Sequence, residues 1–486
     1  MAKGWKKNRR SARVVLCFAA LGSWIIVELL SVIQHRAAIV YDVPELFILF
    51  RSNPGRRMNL LLGKFSNGNQ DRAQQPAAQE EKAQGLGLNM EKIKSNITCD
   101  FSHFRTDVCE LRGDVRVSGG RAGKVALLDA ESPQDSHQVV AKIKPYTRKW
   151  EKSCMATIGE VSLEILPLSS SPSMPCDTNH SVPAVILSTG GYTGNVYHEF
   201  NDGLIPLFIT SHKFHGEVVF LVLELHKWWM MKYGSIVSKL SNYPVQDFDR
   251  SKRIHCFPQA ILGMQIHDEL AIASQAPEAS MRDFQQLLKA SLNSQKSPLK
   301  PMSRVAKVGN KVGGSSSPKL VLLARKGSRV LLNQNALVRL AKKIGFRVVV
   351  LAPNSHSSLF ELHEELHSAH VMVGVHGAAL THFLFMRPAS VFIQIVPLGT
   401  EWAAQTYYGQ PAMKAGLRYL EYKIVAEESS LVKKLGRESA AVAHPEEITS
   451  KGWWEMKKIY LQNQDVMLSL HRFRPLLEQA FKESVF

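Results

Sequence analysis

Short apolar runs alternate with apolar stripes at helical spacing along most of the chain. The runs are rich in β-branched residues, and the stripes between them repeat every three or four positions. Buried β-branched strands separated by helices are typical of βαβ units and parallel sheets. The predicted strands are 184–188, 217–225, 253–262, 319–324, 346–352, 371–375, 390–397 and 418–425. The predicted helices lie near 196–211, 227–240, 333–345, 357–369, 378–386 and 401–416.

A polar segment divides this pattern into two lobes. Residues 292–318 combine Gly, Ser, Pro and Lys with almost no large apolar side chain, which is the composition of a linker. We therefore expect an α/β protein with two Rossmann-like lobes and a cleft between them, in which ligands bind at the carboxyl ends of the strands. The predicted boundaries are 96–300 for the first lobe, 301–317 for the linker, 318–450 for the second lobe and 451–486 for C-terminal helices.

The N-terminal residues lack this pattern. Residues 1–13 carry six cations and no acid, and residues 14–33 form an apolar stretch as long as a bilayer is thick. Cations before such a stretch favour a cytosolic tail and a transmembrane signal anchor, with a cleaved signal peptide as the alternative. Residues 34–95 are assigned to a stem, because their polar composition from about residue 51 cannot form a core.

The composition is that of a globular protein, with 45% hydrophobic and 21% charged residues, but the formal net charge is +18. A basic body suits an anionic partner, either nucleic acid or a nucleotide diphosphate. The predicted membrane anchor disfavours nucleic acid, because the body then lies in a secretory lumen.

Sequons and cysteines agree with a lumenal body. Asn96 and Asn179 each begin a glycosylation sequon. Outside the apolar stretch five cysteines remain, enough for two disulfides and one free thiol. Close spacing makes Cys99 and Cys109 the first candidate pair. The absence of Cys-x-x-Cys spacing argues against a cysteine zinc site.

The segment from His363 to His367 matches the His-Glu-x-x-His pattern of zinc peptidases. A zinc site needs a further ligand, and His370 lies too near for the extended form of the pattern. Leucines at helical spacing run through the segment into a buried strand, so we interpret it as a packing helix of a βαβ unit.

Asp247 and Asp249 form an Asp-x-Asp triplet, which can contribute to a divalent cation site. The triplet lies between a proline and a basic run, and we interpret it as a surface turn. The sequence therefore predicts no bound metal.

Small residues follow one predicted strand of the second lobe at its carboxyl end. Gly374 and Gly377 bracket His376, so a ligand can approach the backbone, and the next helix directs free N–H groups toward an anion. Arg325 and Arg329 follow the first strand of this lobe and are expected at the same sheet edge, where guanidinium groups can neutralise a diphosphate. The alternative for the glycine segment is a tight structural turn, and the alternative for the two arginines is a solvated loop.

A glycine-rich loop follows the first predicted strand, in the segment STGGYTGNVYHEFND. His198 and Asp202 come four residues apart on the helix after this loop and therefore share one face. A carboxylate beside an imidazole can orient it as a general base. Ordinary surface polar residues are the alternative.

Taken together, these segments resemble glycosyltransferase family 61. They read, in that family's order, GGYTGNVYHEFNDGLIPLF, ARKGSRVLLN, VMVGVHGAALTHFLFMRP and QIVPLG. Two further segments resemble the plant xylan-decorating branch of the family more narrowly: YPVQDFDRSKRIHCFP and YYGQPAMKAGLRYLEYKIVAEESSL. The resemblance runs from about Cys99 to near the C-terminus. It implies a single-pass type II Golgi membrane enzyme with a GT-B fold, inverting transfer of xylose or arabinose from a UDP-pentose to xylan, and no bound cofactor or metal.

The resemblance also implies roles for individual residues. It places the donor at His376, Gly377, Ala378 and Thr381, the phosphates near Arg325 and Arg329, and a cleft wall at Asn195, His198 and Asp202. The chain departs from the family's pattern at Ala379, where glycine is usual, and at His382, where asparagine is usual.

These roles give a single in-line displacement as the hypothesis. His198, oriented by Asp202, takes the proton of an acceptor hydroxyl that attacks the anomeric carbon, and the arginines hold the departing UDP. Trp402 and Tyr407 either stack on a sugar or belong to the core. A non-catalytic carbohydrate-binding protein and a lumenal zinc peptidase are the alternative functions, and homo- or hetero-oligomerisation stays open.

Overall fold

The computed structural model describes residues 96–120, 123–274, 279–292 and 317–485, all within one compact unit. The predicted cytosolic tail, signal anchor and stem lie outside these ranges, as does the predicted linker apart from Ser317. Within the described ranges, no helix combines the length and the apolar content that crossing a bilayer requires.

The described residues form a mixed α/β architecture around two sheets. The first sheet contains β1 Ile97–Asp100, β2 Val108–Ser118, β3 Lys124–Asp129, β4 Gln138–Ile143, β5 Val161–Pro167, β6 Thr178–Asn179, β7 Ala184–Ser188, β8 Val219–Leu223, β9 Gln246–Asp247 and β10 Ile254–Leu262. The second contains β11 Lys319–Leu323, β12 Arg347–Leu351, β13 Val371–Val375, β14 Val391–Val396 and β15 Arg418–Lys423.

Helices connect these strands. The α-helices of the described residues are Lys152–Met155, Val196–His198, Ile205–Ser211, Lys227–Val237, Met281–Leu292, Gln334–Ile344, Leu359–His367, Glu401–Ala404, Gln410–Lys414, Leu431–Leu435, Ala440–Ala443, Pro445–Thr449, Trp453–Met456 and Leu470–Val485. π-Helical segments are Glu199–Leu204, Gln405–Gly409 and Lys457–Leu461. The 3-10 helices are Leu168–Ser173, His212–Phe214, Ala378–Phe385 and Ala426–Glu428.

The second sheet is parallel throughout, in the order β12-β11-β13-β14-β15. Strands β11, β13 and β14 are buried along their whole length, which explains why they read as continuous apolar runs. Their register pairs Leu323 with Gly374 and Gly374 with Gln394. The carboxyl ends of these three strands therefore meet at one edge, as predicted. The helix predicted near 378–386 is a 3-10 helix rather than an α-helix.

The first sheet is mixed and is only in part the predicted Rossmann-like arrangement. Its parallel part contains β10, β7, β8 and β9, whereas β2 pairs antiparallel with β1, β3 and β10. The register of β10 against β2 shifts between Phe257 and Gln259, around Pro258. Proline has no N–H to donate to the ladder, so a bulge at this position is expected.

One cluster of buried side chains continues from the first sheet to the second. It includes Leu187 on β7, Phe200, Phe385 and Met372 on β13. The ring centroids of Phe200 and Phe385 lie 5.9 Å apart. Because the helix after β7 packs against the 3-10 helix after β13, the loops that precede these two helices are held in fixed positions.

Two disulfides stabilise the first sheet. Cys99 is bonded to Cys109 across β1 and β2, and Cys176 is bonded to Cys256 on β10. Cys154 is a free, buried thiol. The two sequon asparagines are solvent-exposed.

Candidate functional site

The loop after β7 begins the site. Gly191 has a φ of +62°, and a Cβ at this position would lie 2.6 Å from the ring of Tyr146. Glycine is therefore needed for the loop to turn back over Tyr146. Asn195, predicted to line the cleft, is exposed and caps the next helix, its side chain accepting a hydrogen bond of 3.0 Å from the N–H of Tyr197.

The structure brings His198 and Asp202 together. His198 Nδ1 lies 2.7 Å from Asp202 Oδ2, and the side chain of His198 is 17% exposed whereas that of Asp202 is fully buried. The carboxylate can only accept a hydrogen bond, which assigns the proton to Nδ1. Nε2, on the opposite edge of the ring, then carries the lone pair that a general base needs.

A buried arginine completes this pair. Arg148 donates from Nε to Asp202 Oδ2 at 2.9 Å and from Nη1 to Glu151 at 2.7 Å, and its Nη2 lies 3.2 Å from His198 Nδ1. Burial raises the pKa of Asp202, but the charge of Arg148 and the hydrogen bond from His198 outweigh that effect and lower the pKa to about 2. Asp202 is therefore an anion at physiological pH.

A second buried arginine extends the network toward the other half of the molecule. Arg105 donates to Glu269 at 2.9 Å and reaches Asp202 at 3.5 Å. Glu269 also accepts a hydrogen bond from the hydroxyl of Tyr197. Arg105 and Arg148 were not predicted as site residues, because an isolated arginine in HFRTD or YTRKW belongs to no motif.

The turn after β13 is shaped around an arginine. Gly377 has a φ of +144°, and a Cβ on it would collide with the guanidinium group of Arg325. Arg325 donates from Nε to the carbonyl of Ser328 at 3.2 Å, and Arg329 donates from Nη1 to the carbonyl of His376 at 3.1 Å. Both arginines therefore lie against this turn, as their positions after β11 predicted.

The C-terminal segment fixes the backbone of Arg329. This residue has a φ of +55°, which is uncommon for a side chain with a Cβ. Its N–H donates to the carbonyl of Gln464 at 2.6 Å, and the N–H of Val330 donates to Asp465 at 2.9 Å. Such contacts hold a strained conformation in place, and strained residues cluster at ligand sites.

Arg325 and Arg329 together form a positively charged site. Neither Arg325 nor Arg329 forms an ion pair with a carboxylate among the described residues, and Arg329 Nε is buried without a hydrogen-bond partner there. Burial, and then the charge of Arg325, lower the pKa of Arg329 to about 9, and burial lowers the pKa of Arg325. Burial and mutual repulsion both disfavour the charged forms of the two arginines. A bound anion would offset this cost, so the pair is suited to bind one.

His376 is held neutral between these arginines and β14. Burial, and then the two arginine charges, lower its pKa well below the usual value. Gln394 donates from Nε2 to His376 Nδ1 at 2.9 Å and accepts a hydrogen bond from the hydroxyl of Tyr419 at 2.8 Å. This arrangement leaves Nε2–H of His376 as a donor beside the arginines.

Aromatic rings join the two clusters. Tyr197 lies 5.2 Å from His198 and 6.0 Å from Tyr408, and Tyr408 lies 5.3 Å from His376, all measured between ring centroids. The His198 cluster and the arginine pair therefore line one continuous region. Tyr197 and Tyr408 were not predicted as site residues, although each is next to a predicted one, His198 in VYHEF and Tyr407 in YYGQ.

The aromatic pair predicted to stack on a sugar lies at the margin of this region. Tyr407 is half-buried, with its ring 5.4 Å from that of Tyr197 and 5.5 Å from that of Trp402. Trp402 is half-buried and packs against the hydrophobic core of the second half. Tyr407 therefore borders the site, and Trp402 supports it.

The remaining residues of the turn are small or buried. Ala378 is half-buried, and Thr381 is buried beside the phenol of Tyr408. His382 donates from Nδ1 to the carbonyl of Ala379 at 2.7 Å, and burial lowers its pKa to about 4. This histidine is a neutral structural residue below the turn.

The His-Glu-x-x-His segment forms the helix Leu359–His367, whose leucines are buried. The ring of His363 stacks on that of His367 and contacts Phe385, and burial lowers the pKa of His363 to about 4. Among the described residues, no group of three His, Cys, Asp or Glu side chains is arranged to hold a metal ion. The geometry is that of a packing helix.

The Asp-x-Asp triplet has structural hydrogen bonds. Asp247 ends β9 and accepts a hydrogen bond from the N–H of Arg250 at 3.1 Å, and Asp249 accepts one from the N–H of Glu224 at 2.7 Å. Both carboxylates border an open cavity of about 580 Å³ that also touches the loop after β7.

Comparison with known proteins gives consistent matches. The family model described as Glycosyltransferase 61 matches residues 196–393. The chain is 44% identical to the xylan glycosyltransferase MUCI21 of Arabidopsis thaliana, over 81% of this chain and 80% of the relative. It is 37% identical to the alpha-1,3-arabinosyltransferase XAT3 of Oryza sativa subsp. japonica, over 83% of this chain and 68% of the relative. It is 36% identical to the beta-1,2-xylosyltransferase XYXT1 of the same organism, over 79% and 84% respectively.

Proposed function

The chain belongs to glycosyltransferase family 61, and on this premise we propose that it transfers xylose or arabinose from a UDP-sugar to xylan. The relatives named above supply the substrate class. The observation that carries the proposal is the joining, in one region, of a His–Asp pair and two arginines that form no ion pair with an acidic side chain of the described residues. The first can accept a proton and the second can hold a diphosphate.

The second half of the molecule binds the donor in this proposal. Arg325, Arg329 and the Nε2–H of His376 converge beside the Gly377 turn, and each offers N–H groups to phosphate oxygens. These groups stabilise the negative charge that develops on UDP as it leaves. The arginine pair supplies the positive charge that a divalent metal provides elsewhere, so the reaction needs no added metal.

The first half supplies the base. An acceptor hydroxyl of xylan attacks the anomeric carbon of the pentose and forms the new glycosidic C–O bond, while its proton moves to Nε2 of His198. The bond between the anomeric carbon and the β-phosphate oxygen breaks, and its electron pair leaves with UDP. The attack comes from the face opposite the leaving group, so configuration inverts. Asp202, which the charge of Arg148 keeps ionised, holds the imidazole in the tautomer this step requires.

The wider setting follows the same proposal. The two sheets are the cores of the two lobes of a GT-B enzyme, with domain boundaries as predicted above. The apolar stretch 14–33 anchors the chain in the Golgi membrane as a single-pass type II protein with its body in the lumen, where Asn96 and Asn179 are glycosylated.

The test uses the full-length chain in membrane preparations. It is incubated with a panel of UDP-sugars and xylohexaose, with and without a chelator, and product masses are measured. We expect a pentose adduct from a UDP-pentose with equal yield in chelator. If the chain binds xylohexaose but forms no product with any donor, the result favours a non-catalytic carbohydrate-binding protein. Loss of product in chelator and its return with Mn²⁺ contradicts the metal-independent mechanism and redirects attention to Asp247 and Asp249.

A further inference from the structure

Two large aromatic side chains are exposed side by side next to the candidate site. Phe104 is 59% exposed and Trp150 is 40% exposed, and their ring centroids lie 5.5 Å apart. Adjacent exposed rings of this size commonly mark a binding surface. We call Phe104 and Trp150 the aromatic platform.

The platform is fixed from within the site. The guanidinium groups of Arg105 and Arg148 lie over the Trp150 ring, 5.1 and 5.0 Å from its centroid. Both arginines are buried and ion-paired, Arg105 with Glu269 and Arg148 with Asp202. Since their charges are already neutralised, the platform offers an apolar surface rather than an anion site.

A single side chain, that of Arg148, separates the platform from the proposed base. Arg148 contacts the ring of Trp150 on one side and approaches His198 Nδ1 at 3.2 Å on the other. A ligand resting on Phe104 and Trp150 is therefore close to the group that takes the proton.

We propose that the aromatic platform binds the acceptor chain through xylose units next to the one that is modified. This inference rests on the proposed function. A β-linked xylose unit is uncharged, carries its hydroxyls around the ring edge and has no exocyclic CH₂OH group, so both faces present C–H groups. Such a face stacks on an aromatic ring, whose negatively polarised surface attracts the C–H groups. A neutral polymer is therefore the occupant that this apolar surface fits.

The test compares two substitutions of Phe104, because the other platform ring, Trp150, is the one that contacts Arg105 and Arg148. Phe104→Leu keeps an apolar side chain but removes the flat face, and Phe104→Tyr keeps the face. Trp454→Leu, a change at an exposed ring that packs with Lys457, is the matched control. The full-length chain is used for all variants. Transfer to xylohexaose and xylobiose is measured together with direct binding of xylohexaose by saturation-transfer NMR.

We expect Phe104→Leu to raise the KM for xylohexaose by about fivefold, the size of one aromatic stacking interaction. The KM for the UDP-sugar should not change, and the advantage of xylohexaose over xylobiose should shrink. Phe104→Tyr should restore the wild-type KM, and Trp454→Leu should show no effect.

Unchanged binding and KM of xylohexaose in Phe104→Leu would overturn the inference while leaving the proposed function intact. If the wild-type chain transfers no pentose but binds xylohexaose through Phe104, the proposed function fails and the platform stands. A change in oligomeric state on Phe104→Leu contradicts the inference and assigns the surface to a second copy of the chain.

Discussion

Replacing Asp202 by asparagine is the sharpest perturbation of the proposed base. The change preserves the shape of a fully buried side chain and removes its charge. Arg148 then lies buried beside a neutral amide. The amide can also donate to His198 Nδ1, which selects the tautomer with the proton on Nε2 and blocks that atom as a base.

The structure gives the size of the effect. Burial opposes the ionisation of Asp202, yet Arg148 and His198 lower its pKa from 3.8 to about 2, which corresponds to about 2–3 kcal/mol of stability at neutral pH. Breaking a buried ion pair by removing one partner costs about 3–5 kcal/mol. We therefore expect Asp202→Asn to lower the free energy of unfolding by about 2–5 kcal/mol at pH 7. Loss of a working base should lower the transfer rate by roughly 10²–10⁴-fold.

Chemical denaturation at several pH values and steady-state transfer assays measure both effects. Because the folded pKa of Asp202 lies below the unfolded value, its stabilisation is complete above that unfolded value and is lost as the pH falls toward about 2. The stability difference between wild type and Asp202→Asn should therefore shrink on acidification. Asp283→Asn, at a half-exposed position bonded to Ser280, should cost less than about 1 kcal/mol. A variant at position 202 with near-wild-type transfer and a pH-independent stability difference would refute the reasoning.

Three further outcomes are expected. Arg329→Ala should raise the KM for the UDP-sugar by about tenfold or more, since a hydrogen bond to a charged group contributes about 1.5–3 kcal/mol. Gly377→Ala should also weaken donor binding, because its Cβ displaces the adjacent guanidinium, whereas Gly452→Ala, with a positive φ in open space, should leave kinetics unchanged. Removing the Cys176–Cys256 disulfide, which spans 80 residues, should cost about 4 kcal/mol in denaturation, and a negligible cost would contradict the loop-entropy argument.

The second sheet was predictable because its buried parallel strands read as unbroken apolar runs. Strand ends then located Arg325 and His376 correctly at one edge, since neighbouring parallel strands end together. The antiparallel part of the first sheet was missed. Strand β2 contains no long apolar run, because its burial alternates from Val108 to Leu111 and is then interrupted by the exposed residues Arg112 and Gly113.

The missing parts of the site are long-range. Arg105 and Arg148 meet Asp202 from 97 and 54 residues away in the sequence, and nothing local distinguishes a buried arginine from a surface one. The C-terminal segment that fixes Arg329 is equally distant, with Asp465 bonding Val330 across 135 residues. Such contacts depend on how the sheets pack, which no short motif encodes.

In the proposed mechanism the base and the donor site lie in different halves of the molecule. His198→Ala tests this arrangement most directly. UDP affinity and pentose transfer to xylohexaose are measured on the same full-length preparation. For His198→Ala we expect a UDP affinity within about twofold of wild type and a transfer rate lowered by roughly 10²–10⁴-fold. Near-wild-type transfer by His198→Ala, or a loss of UDP binding as large as the loss of transfer, would contradict it.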